Sequence, residues 1–155
     1  MQVIRKQYKI YIDRSPAEIW RFLIDPNNQR LLLPSSLPAD YLELPLVMEI
    51  GAIFRMRIRF LGVQRELGGA VTAMEPESLL ECRQVDGPFD SSMYRCKIAP
   101  FQAGTLITDQ IEYCLKSGIG SRLWNRLWLE EHVDRLFLDR QQAVKRCVES
   151  VECAA

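Results

Sequence analysis

Hydrophobic positions in the carboxyl-terminal part of the chain recur at steps of three and four residues. Over residues 120–151 this spacing predicts one long α-helix with a single apolar stripe. The stripe comprises Leu129, Val133, Leu136, Phe137, Val144, Cys147, Val148 and Val151. The charged positions of the same stretch predict a solvated face: Arg122, Arg126, Glu130, Glu131, Asp134, Arg135, Asp139, Arg140 and Lys145. A helix of about 30 residues spans roughly 45 Å, so the stripe needs a broad apolar partner.

Alternation of apolar and polar residues upstream predicts strands that supply this partner. The predicted strands cover residues 3–12, 41–46, 53–60, 63–74, 79–85, 91–98 and 105–115. Two adjacent glycines, Gly68 and Gly69, interrupt the fourth of these strands and predict a bulge or a close approach by another segment.

Two short helices are predicted between the first and second strands. The segment SPAEIW (15–20) has the pattern of a capping box, with proline at the first helical position. This helix must end near Asp25, because a residue before proline avoids helical angles. Asp25 and Pro26 then predict the start of a second short helix that reaches about Leu33.

The polar positions of the strands predict which face of the sheet is wet. In strand 53–60, Arg55, Arg57 and Arg59 lie opposite the apolar face. Neighbouring strands carry complementary polar pairs: Glu81 and Arg83, Arg95 and Lys97, Gln110 and Glu112. The other face must be covered by the long helix. The predicted fold is therefore α+β, a curved antiparallel sheet of six to seven strands around a long C-terminal helix, with a hollow wherever the lining side chains do not fill the space.

Composition and charge narrow the class of protein. The chain has 155 residues, enough for one domain with a real core, and 20 basic residues balance 20 acidic ones. This balance gives no global field for nucleic acid. No apolar run approaches the ~18 residues of a membrane span, and no signal-peptide core opens the chain. We therefore expect a cytoplasmic protein without stable membrane insertion.

Cofactor and metal motifs are missing from the sequence. Five cysteines include no CxxC pair, and His132 is the single histidine, so no zinc spacing exists. No phosphate-binding loop or nucleophile elbow is present either. The expectation is no cofactor, no metal, and cysteines that are buried or idle thiols.

Three residues are candidates for acid–base chemistry. Asp109 stands on the apolar face of its strand, where desolvation would raise its pKa; the alternative is a structural carboxylate held by backbone amides or by an arginine of the long helix. Tyr94 shares the inward face. Its hydroxyl would orient the polar end of a ligand; the alternative is an amphipathic residue that only lines the pocket wall. His132 lies beside the helix stripe, as a boundary residue or a base.

The inward face of the strands and the start of the helix stripe predict a ligand pocket. Its predicted lining is Phe54, Met56, Ile58, Leu80, Gln84, Tyr94, Cys96, Ile98, Ile107, Asp109, Ile111, Tyr113, Leu129 and Val133. No arginine or lysine shares the inward parity of the strands, which predicts a mostly apolar ligand and not a nucleotide or sugar phosphate. Trp124 and Trp128, at the start of the helix, predict a gate, a protein-partner surface or a homodimer contact, with ordinary packing as the alternative.

Four phrases of the sequence resemble a known superfamily. YKIYI (8–12), SPAEIW (15–20), GPF (87–89) and GTLITDQIEY (104–113), in this order of elements, resemble the START-like (SRPBCC, helix-grip) superfamily. The similarity is greatest to the bacterial polyketide cyclase/dehydrase-like branch, whose members are mostly of unknown function. The resemblance covers nearly the whole chain and implies one START-like domain over residues 1–155, with a cavity for hydrophobic ligands such as lipids, polyketides or plant hormones.

The same resemblance leaves three functions open. The first is a non-catalytic carrier or sensor of a small hydrophobic, lipid- or polyketide-like molecule. The second is an enzyme of the polyketide cyclase, aromatase or dehydratase type, and the third is a protein-interaction module. Members of the branch often carry a Trp-x-His-x-His pattern after Gly-Pro-Phe, whereas this chain has Ser92, Tyr94 and Cys96 at those positions. That departure weakens the enzymatic interpretation.

Overall fold

Seven strands form one antiparallel sheet in a computed structural model of the chain, which describes residues 2–34, 39–60, 62–116 and 123–150. The strand order is β1-β7-β6-β5-β4-β3-β2, so β1 and β2 form opposite edges. The strands are β1 (Val3–Ile12), β2 (Ala39–Glu43), β3 (Ile53–Phe60), β4 (Val63–Glu75), β5 (Leu79–Asp86), β6 (Phe89–Phe101) and β7 (Gly104–Leu115). One long helix, α2 (Leu123–Glu149), covers one face of this sheet, which confirms the predicted α+β class. The predicted helix ends, Gly120 and Val151, lie outside the described residues.

Two short helices carry the chain from one edge of the sheet to the other. Helix α1 (Pro16–Leu23) begins at the predicted capping box: the Ser15 side chain accepts from the Glu18 amide, and the Glu18 carboxylate accepts from the Ser15 amide. Asp25 then caps a 3-10 helix (Pro26–Leu32) by accepting from the Asn27 amide. These local bonds satisfy donors that a helix start leaves free, which is why the sequence predicts both starts correctly.

The second strand differs from its prediction. It was expected at residues 41–46, but β2 begins two residues earlier and ends at Glu43. Pairing with β3 sets this register, with Ala39 opposite Ile58 and Tyr41 opposite Met56. Pro45 has no amide hydrogen to extend the ladder, so the strand ends before it.

The glycine pair in β4 allows the close approach that the sequence predicts. The register between β4 and β5 shifts between Gly68 and Gly69. A Cβ on Gly69 would lie 2.2 Å from the ring of Phe54, and one on Gly68 would lie 2.1 Å from Oδ1 of Asp86. Glycine at these positions therefore lets the Phe54 ring lie flat against the neighbouring strand.

The core divides into two clusters along α2. The larger cluster joins the carboxyl-terminal half of α2, through Ala143, Val144 and Val148, to α1 and to β5, β6 and β7. The smaller cluster lies further toward the start of α2, where Leu129, Val133 and Phe137 contact Ile4 and Tyr113. Since the two clusters pack differently, the space between sheet and helix is filled at one end and open at the other.

One residue on the outer face is buried, against prediction. Arg57 is exposed as expected, but only 7% of Glu81 is accessible. Arg95 donates to Oε2 of Glu81 at 2.6 Å, and Arg83 and Thr72 donate to Oε1 at 3.1 and 2.9 Å. The prediction that Glu81 is solvated was wrong because its ion-pair partners cover it.

This cluster predicts a pH-dependent contribution to stability. The Arg95 hydrogen bonds, with those from Thr72 and Arg83, hold the pKa of Glu81 below its ordinary value. A lowered folded-state pKa stabilises the fold above the unfolded-state pKa, near 4.3, and this contribution is lost as pH falls through the folded-state pKa. At neutral pH the free energy of unfolding of Glu81→Gln should therefore be about 2 kcal/mol lower than that of the wild type. The variant should also lose less stability than the wild type on acidification.

Urea titrations at several pH values between neutrality and acid measure this difference. Glu112→Gln is the matched control, because Glu112 forms an ion pair with Arg5 on the same face but is more exposed. Parallel stability profiles for wild type and Glu81→Gln would contradict the prediction.

Candidate ligand-binding cavity

A cavity of about 270 Å³ lies between the sheet and α2. Inward-facing side chains of β3 to β7 form one wall, and the 3-10 helix and the segments flanking β2 form part of the rim. Helix α2 supplies the opposite wall through Trp128, Leu129, His132, Val133, Leu136, Phe137 and Arg140. Most of these groups are apolar, so the hollow suits an apolar body with a few defined polar contacts.

Ten of the fourteen side chains predicted from the sequence to line a pocket line this cavity. They are Phe54, Met56, Ile58, Leu80, Gln84, Tyr94, Ile111, Tyr113, Leu129 and Val133. The alternation of the strands placed them correctly on the inward face. Their role in binding a ligand stays a prediction.

The other four, Cys96, Ile98, Ile107 and Asp109, do not line the main cavity. All four are buried on the inward face, as predicted, but at its filled end. There Val144 and its neighbours on α2 lie directly against the sheet and leave no room for a ligand. Parity along a strand determines which face a residue occupies, but not whether that face is packed.

Asp109 is held as a structural carboxylate. Tyr94 donates its hydroxyl to Oδ1 at 2.6 Å, and Gln141 donates its amide to Oδ2 at 2.8 Å. The Gln141 amide also donates to the backbone carbonyl of Tyr8, so the network ties α2 to β1, β6 and β7. Both oxygens of Asp109 therefore have partners, which supports the structural alternative over a role as general acid or base.

Arg140 enters the cavity from α2, although the sequence predicts it on the solvated face. Its guanidinium carbon lies 5.4 Å from the centroid of the Tyr94 ring, a cation–π contact. Burial alone lowers the pKa of Arg140, but Tyr94, Tyr41 and Asp109 more than offset this and raise the pKa above its ordinary value. The prediction was wrong because it judged Arg140 by its charge, whereas the residue lies four positions after Leu136 and four before Val144, on the stripe itself.

Among the described residues, two that line the cavity, Tyr113 and Gln84, each have a buried polar atom without a hydrogen-bond partner. Only 1% of Tyr113 is accessible, and its hydroxyl has no partner. Gln84 donates its amide to the carbonyl of Phe89 at 2.9 Å, but its Oε1 has no donor. Burial, together with the charges of Glu130 and Asp134, raises the pKa of Tyr113 to about 12, so the hydroxyl is a neutral donor near neutral pH.

His132 and Trp128 form part of the cavity wall near the start of α2. Nδ1 of His132 lies 2.7 Å from the carbonyl oxygen of Trp128, so this nitrogen carries the hydrogen in that contact. The two rings stack with centroids 3.6 Å apart. The side chain of Trp124 lies outside the described residues, and a partner surface at the Trp124/Trp128 end stays a prediction.

A tyrosine and a cysteine near the cavity are held in their neutral forms. Tyr8 stacks on Phe137 at 5.4 Å and donates its hydroxyl to Asp134 at 2.5 Å; burial and this carboxylate raise the pKa of Tyr8. Burial raises the pKa of the Cys82 thiol to about 11. At neutral pH Cys82 is therefore a thiol and a poor nucleophile.

The part of the chain that the structure describes has neither a metal-ligand cluster nor a membrane-spanning helix. No group of three or more His, Cys, Asp or Glu side chains there is placed to hold a metal ion. None of the described helices is long and apolar enough to cross a membrane.

The fold is similar to several solved structures of low sequence identity. The Zhui aromatase/cyclase from Streptomyces sp. R1128 matches with a TM-score of 0.76 at 15% identity, over 96% of this chain and 94% of that one. Major latex-like protein 151 from Panax ginseng matches with a TM-score of 0.67 at 13% identity, over 96% and 99% of the two chains. A protein from Thermus thermophilus matches with a TM-score of 0.67 at 17% identity, over 95% and 100%.

These similarities establish the fold and not the activity. No protein-family model matches the sequence, and no curated protein matches it. The seven-stranded antiparallel sheet around a long C-terminal helix is the helix-grip fold that the resemblance in the sequence implied. At identities of 10% to 17%, the neighbours' own ligands and reactions do not transfer directly to this chain.

Proposed function

We propose that this protein binds a small, mostly hydrophobic molecule in the cavity between the sheet and α2 and acts as a non-catalytic carrier or sensor. The observation that carries the proposal is the hollow itself: inward-facing apolar side chains from five strands and from α2 leave about 270 Å³ unfilled. Protein interiors normally fill such space to crystal-like density. An empty apolar cavity of this size lowers the free energy of unfolding, so a ligand that fills it would account for its presence.

The neighbouring structures support a ligand of this kind at the level of the fold. One neighbour is an aromatase/cyclase and another a major latex-like protein, both built on the same sheet and helix. The lipid- or polyketide-like character of the ligand and the cytoplasmic location stay predictions.

The positions of the candidate acid–base groups favour binding over catalysis. Asp109 lies behind Tyr94, with both oxygens bonded. Tyr94 donates its hydroxyl to Asp109, and burial raises its pKa well above the ordinary value. Of the three candidate acid–base residues, only His132 lines the cavity without a hydrogen bond to another candidate. A cyclase or dehydratase activity would therefore depend on His132, and His132→Ala is the variant that would abolish it.

Titration with the neutral fluorophore N-phenyl-1-naphthylamine tests the proposal. Wild-type protein should bind the probe saturably, because transfer of its rings from water to the cavity is favourable at roughly 25 cal/mol per Å² before the costs of association. Ile58→Glu should weaken binding at least about tenfold, because Ile58 lines the cavity and a carboxylate there must be desolvated to admit the probe.

Ile53→Glu is the matched control on the same strand. Ile53 is 49% exposed and does not line the cavity, so the same substitution should leave probe binding unchanged. Ile107 is unsuitable for this purpose, because it is packed in the larger core cluster and a charge there would unfold the protein. A folded wild type that does not bind the probe, or equal binding by the two glutamate variants, would overturn the proposal.

A further inference from the structure

The guanidinium of Arg140 lies in the cavity with few of its donors satisfied. Among the described residues, no carboxylate oxygen lies within 4.0 Å of it. Its partner in the structure is Tyr94, whose ring lies beneath the guanidinium and whose hydroxyl oxygen already bonds Asp109. A guanidinium has five N–H donors in a planar fork, and one phenol oxygen cannot satisfy them all. Arg140 is partly buried, and Asp109 offsets its charge without forming an ion pair with it. Desolvated charges in proteins are normally paired, so the guanidinium has room for an anion in direct contact.

A second polar site lies further toward the start of α2. Tyr113 and Gln84 are both lining residues of the cavity. Among the described residues, the Tyr113 hydroxyl and Oε1 of Gln84 are buried and have no hydrogen-bond partner. One is an available donor and the other an available acceptor. A hydroxyl group is both acceptor and donor, so a single ligand hydroxyl has the chemistry to satisfy the two atoms together.

The register of the strands gives the separation between the two polar sites. Tyr94, which contacts Arg140, is two residues from Ser92, the cross-strand partner of Tyr113. Two residues of strand span about 7 Å. On α2, Arg140 follows Val133, a neighbour of Tyr113 in the smaller core cluster, by seven residues, or roughly 10 Å. The backbone positions that carry the two sites are therefore about 7–10 Å apart.

We infer that the ligand is an amphipathic anion: a flat apolar body with a carboxylate at Arg140 and a hydroxyl at Tyr113 and Gln84. This rests on the proposed binding function and names the chemical class of its ligand. A carboxylate matches the guanidinium fork with two parallel hydrogen bonds. The rings of Tyr94 and Phe137 contact each other with centroids 5.6 Å apart, and both residues line the cavity, which favours an aromatic body.

The inference adds an anionic group to the mostly apolar ligand that the sequence predicts. That prediction considered only the strands, on which no inward position is basic, whereas the cation comes from the helix. Three arginines line the cavity: Arg59, Arg83 and Arg140. Arg59 and Arg83 are exposed, and Arg83 is paired with Glu81, whereas Arg140 lies against the aromatic wall, so one anionic group is assigned to Arg140.

Four naphthalene probes separate the contributions of the two polar sites. They are 6-hydroxy-2-naphthoate, which carries carboxylate and hydroxyl at opposite ends; 2-naphthoate; 2-naphthol; and the neutral N-phenyl-1-naphthylamine. Wild-type protein should bind 2-naphthoate at least about tenfold more tightly than 2-naphthol, since a charge-assisted pair contributes more than a neutral hydrogen bond. It should bind 6-hydroxy-2-naphthoate most tightly of the four.

Two variants test the assignment of each end. Arg140→Met should weaken both naphthoates about tenfold or more, yet change the affinity for N-phenyl-1-naphthylamine less than about threefold. Tyr113→Phe should weaken the two hydroxylated probes about threefold to tenfold and leave 2-naphthoate unchanged. Arg140→Lys, which keeps the charge but not the fork, should fall between wild type and Arg140→Met for 2-naphthoate.

The outcomes distinguish this inference from the proposed function. If none of the four probes binds to folded protein, the binding function itself fails. If N-phenyl-1-naphthylamine binds but 2-naphthoate binds no better than 2-naphthol, the cavity stands and the anion assignment is overturned. Equal losses for neutral and anionic probes in Arg140→Met would overturn it too. The wild-type comparison needs no variant, so it decides the matter even if Arg140→Met does not fold.

Discussion

Replacing Phe137 with alanine should lower the free energy of unfolding by about 3–5 kcal/mol. The ring is 7% exposed and lies between two tyrosine rings, stacked on Tyr8 at 5.4 Å and tilted against Tyr94 at 5.6 Å. It also joins α2 to Ile4 and Tyr113 in the smaller core cluster. Removing the ring would enlarge the adjoining cavity, so little of the lost volume can be recovered by collapse.

Thermal and urea unfolding of matched variants measure this effect. Arg57→Ala should change the free energy of unfolding by no more than about 0.5 kcal/mol, because Arg57 is exposed on the outer face. Phe137→Leu, which keeps most of the volume, should cost less than about 1.5 kcal/mol. If Phe137→Ala melted like Arg57→Ala, helix α2 would not be packed against the sheet as described.

Replacing Asp109 with alanine should also cost about 3–5 kcal/mol. The change leaves the Tyr94 hydroxyl and the Gln141 amide without the carboxylate that accepts their hydrogen bonds in a buried site. It also removes the carboxylate whose charge offsets that of Arg140. Loss of one member of a buried charged network is costly because the remaining members stay desolvated.

Glu112→Ala is the matched control for this change. Glu112 lies three residues further along the same strand, on the opposite face, and forms an ion pair with a largely exposed Arg5. Such pairs contribute at most about 1 kcal/mol, so this variant should unfold nearly as wild type. Similar costs for the two variants in urea titrations would show that Asp109 is not the centre of a buried network.

Asp109→Asn addresses the acid–base hypothesis independently of stability. The amide keeps the size of the side chain and one acceptor for Tyr94. Because Asp109 does not line the cavity, a folded Asp109→Asn protein should bind N-phenyl-1-naphthylamine within about threefold of wild type. A much larger loss would place the carboxylate in contact with the ligand.

Short-range signals in the sequence were sufficient to predict the elements and their faces. Ser15 and Glu18 cap α1 in the sequence as in the structure, because a capping box involves only residues three positions apart. Alternation placed Met56, Ile111 and Tyr113 on the inward face for a similar reason: side chains of a strand alternate whatever lies above them. The order of these elements, with the long stripe on α2, was enough to predict a curved antiparallel sheet around a long helix, and the resemblance of four phrases implied the helix-grip fold.

The location of the hollow was decided by tertiary structure. Ile98, Ile107 and Ile111 have the same inward parity, but only Ile111 lines the cavity. The difference is that Val144 and its neighbours on α2 fill the space over the first two. How far a helix lies from a sheet depends on its tilt and on every side chain between them, and no local pattern encodes that distance.

The chemistry of the hollow likewise depended on contacts between distant segments. Arg140 has the spacing of a core position, so its place on the stripe could have been predicted from the sequence, but its charge favoured the solvated face. A partly buried guanidinium is tolerated there because Tyr94 lies beneath it and Asp109, 31 residues earlier in the chain, holds Tyr94 in place. The sequence determined the strands, the helices and their inward faces through local periodicity; the fold decided which inward side chains meet a ligand, because only packing brings those segments together.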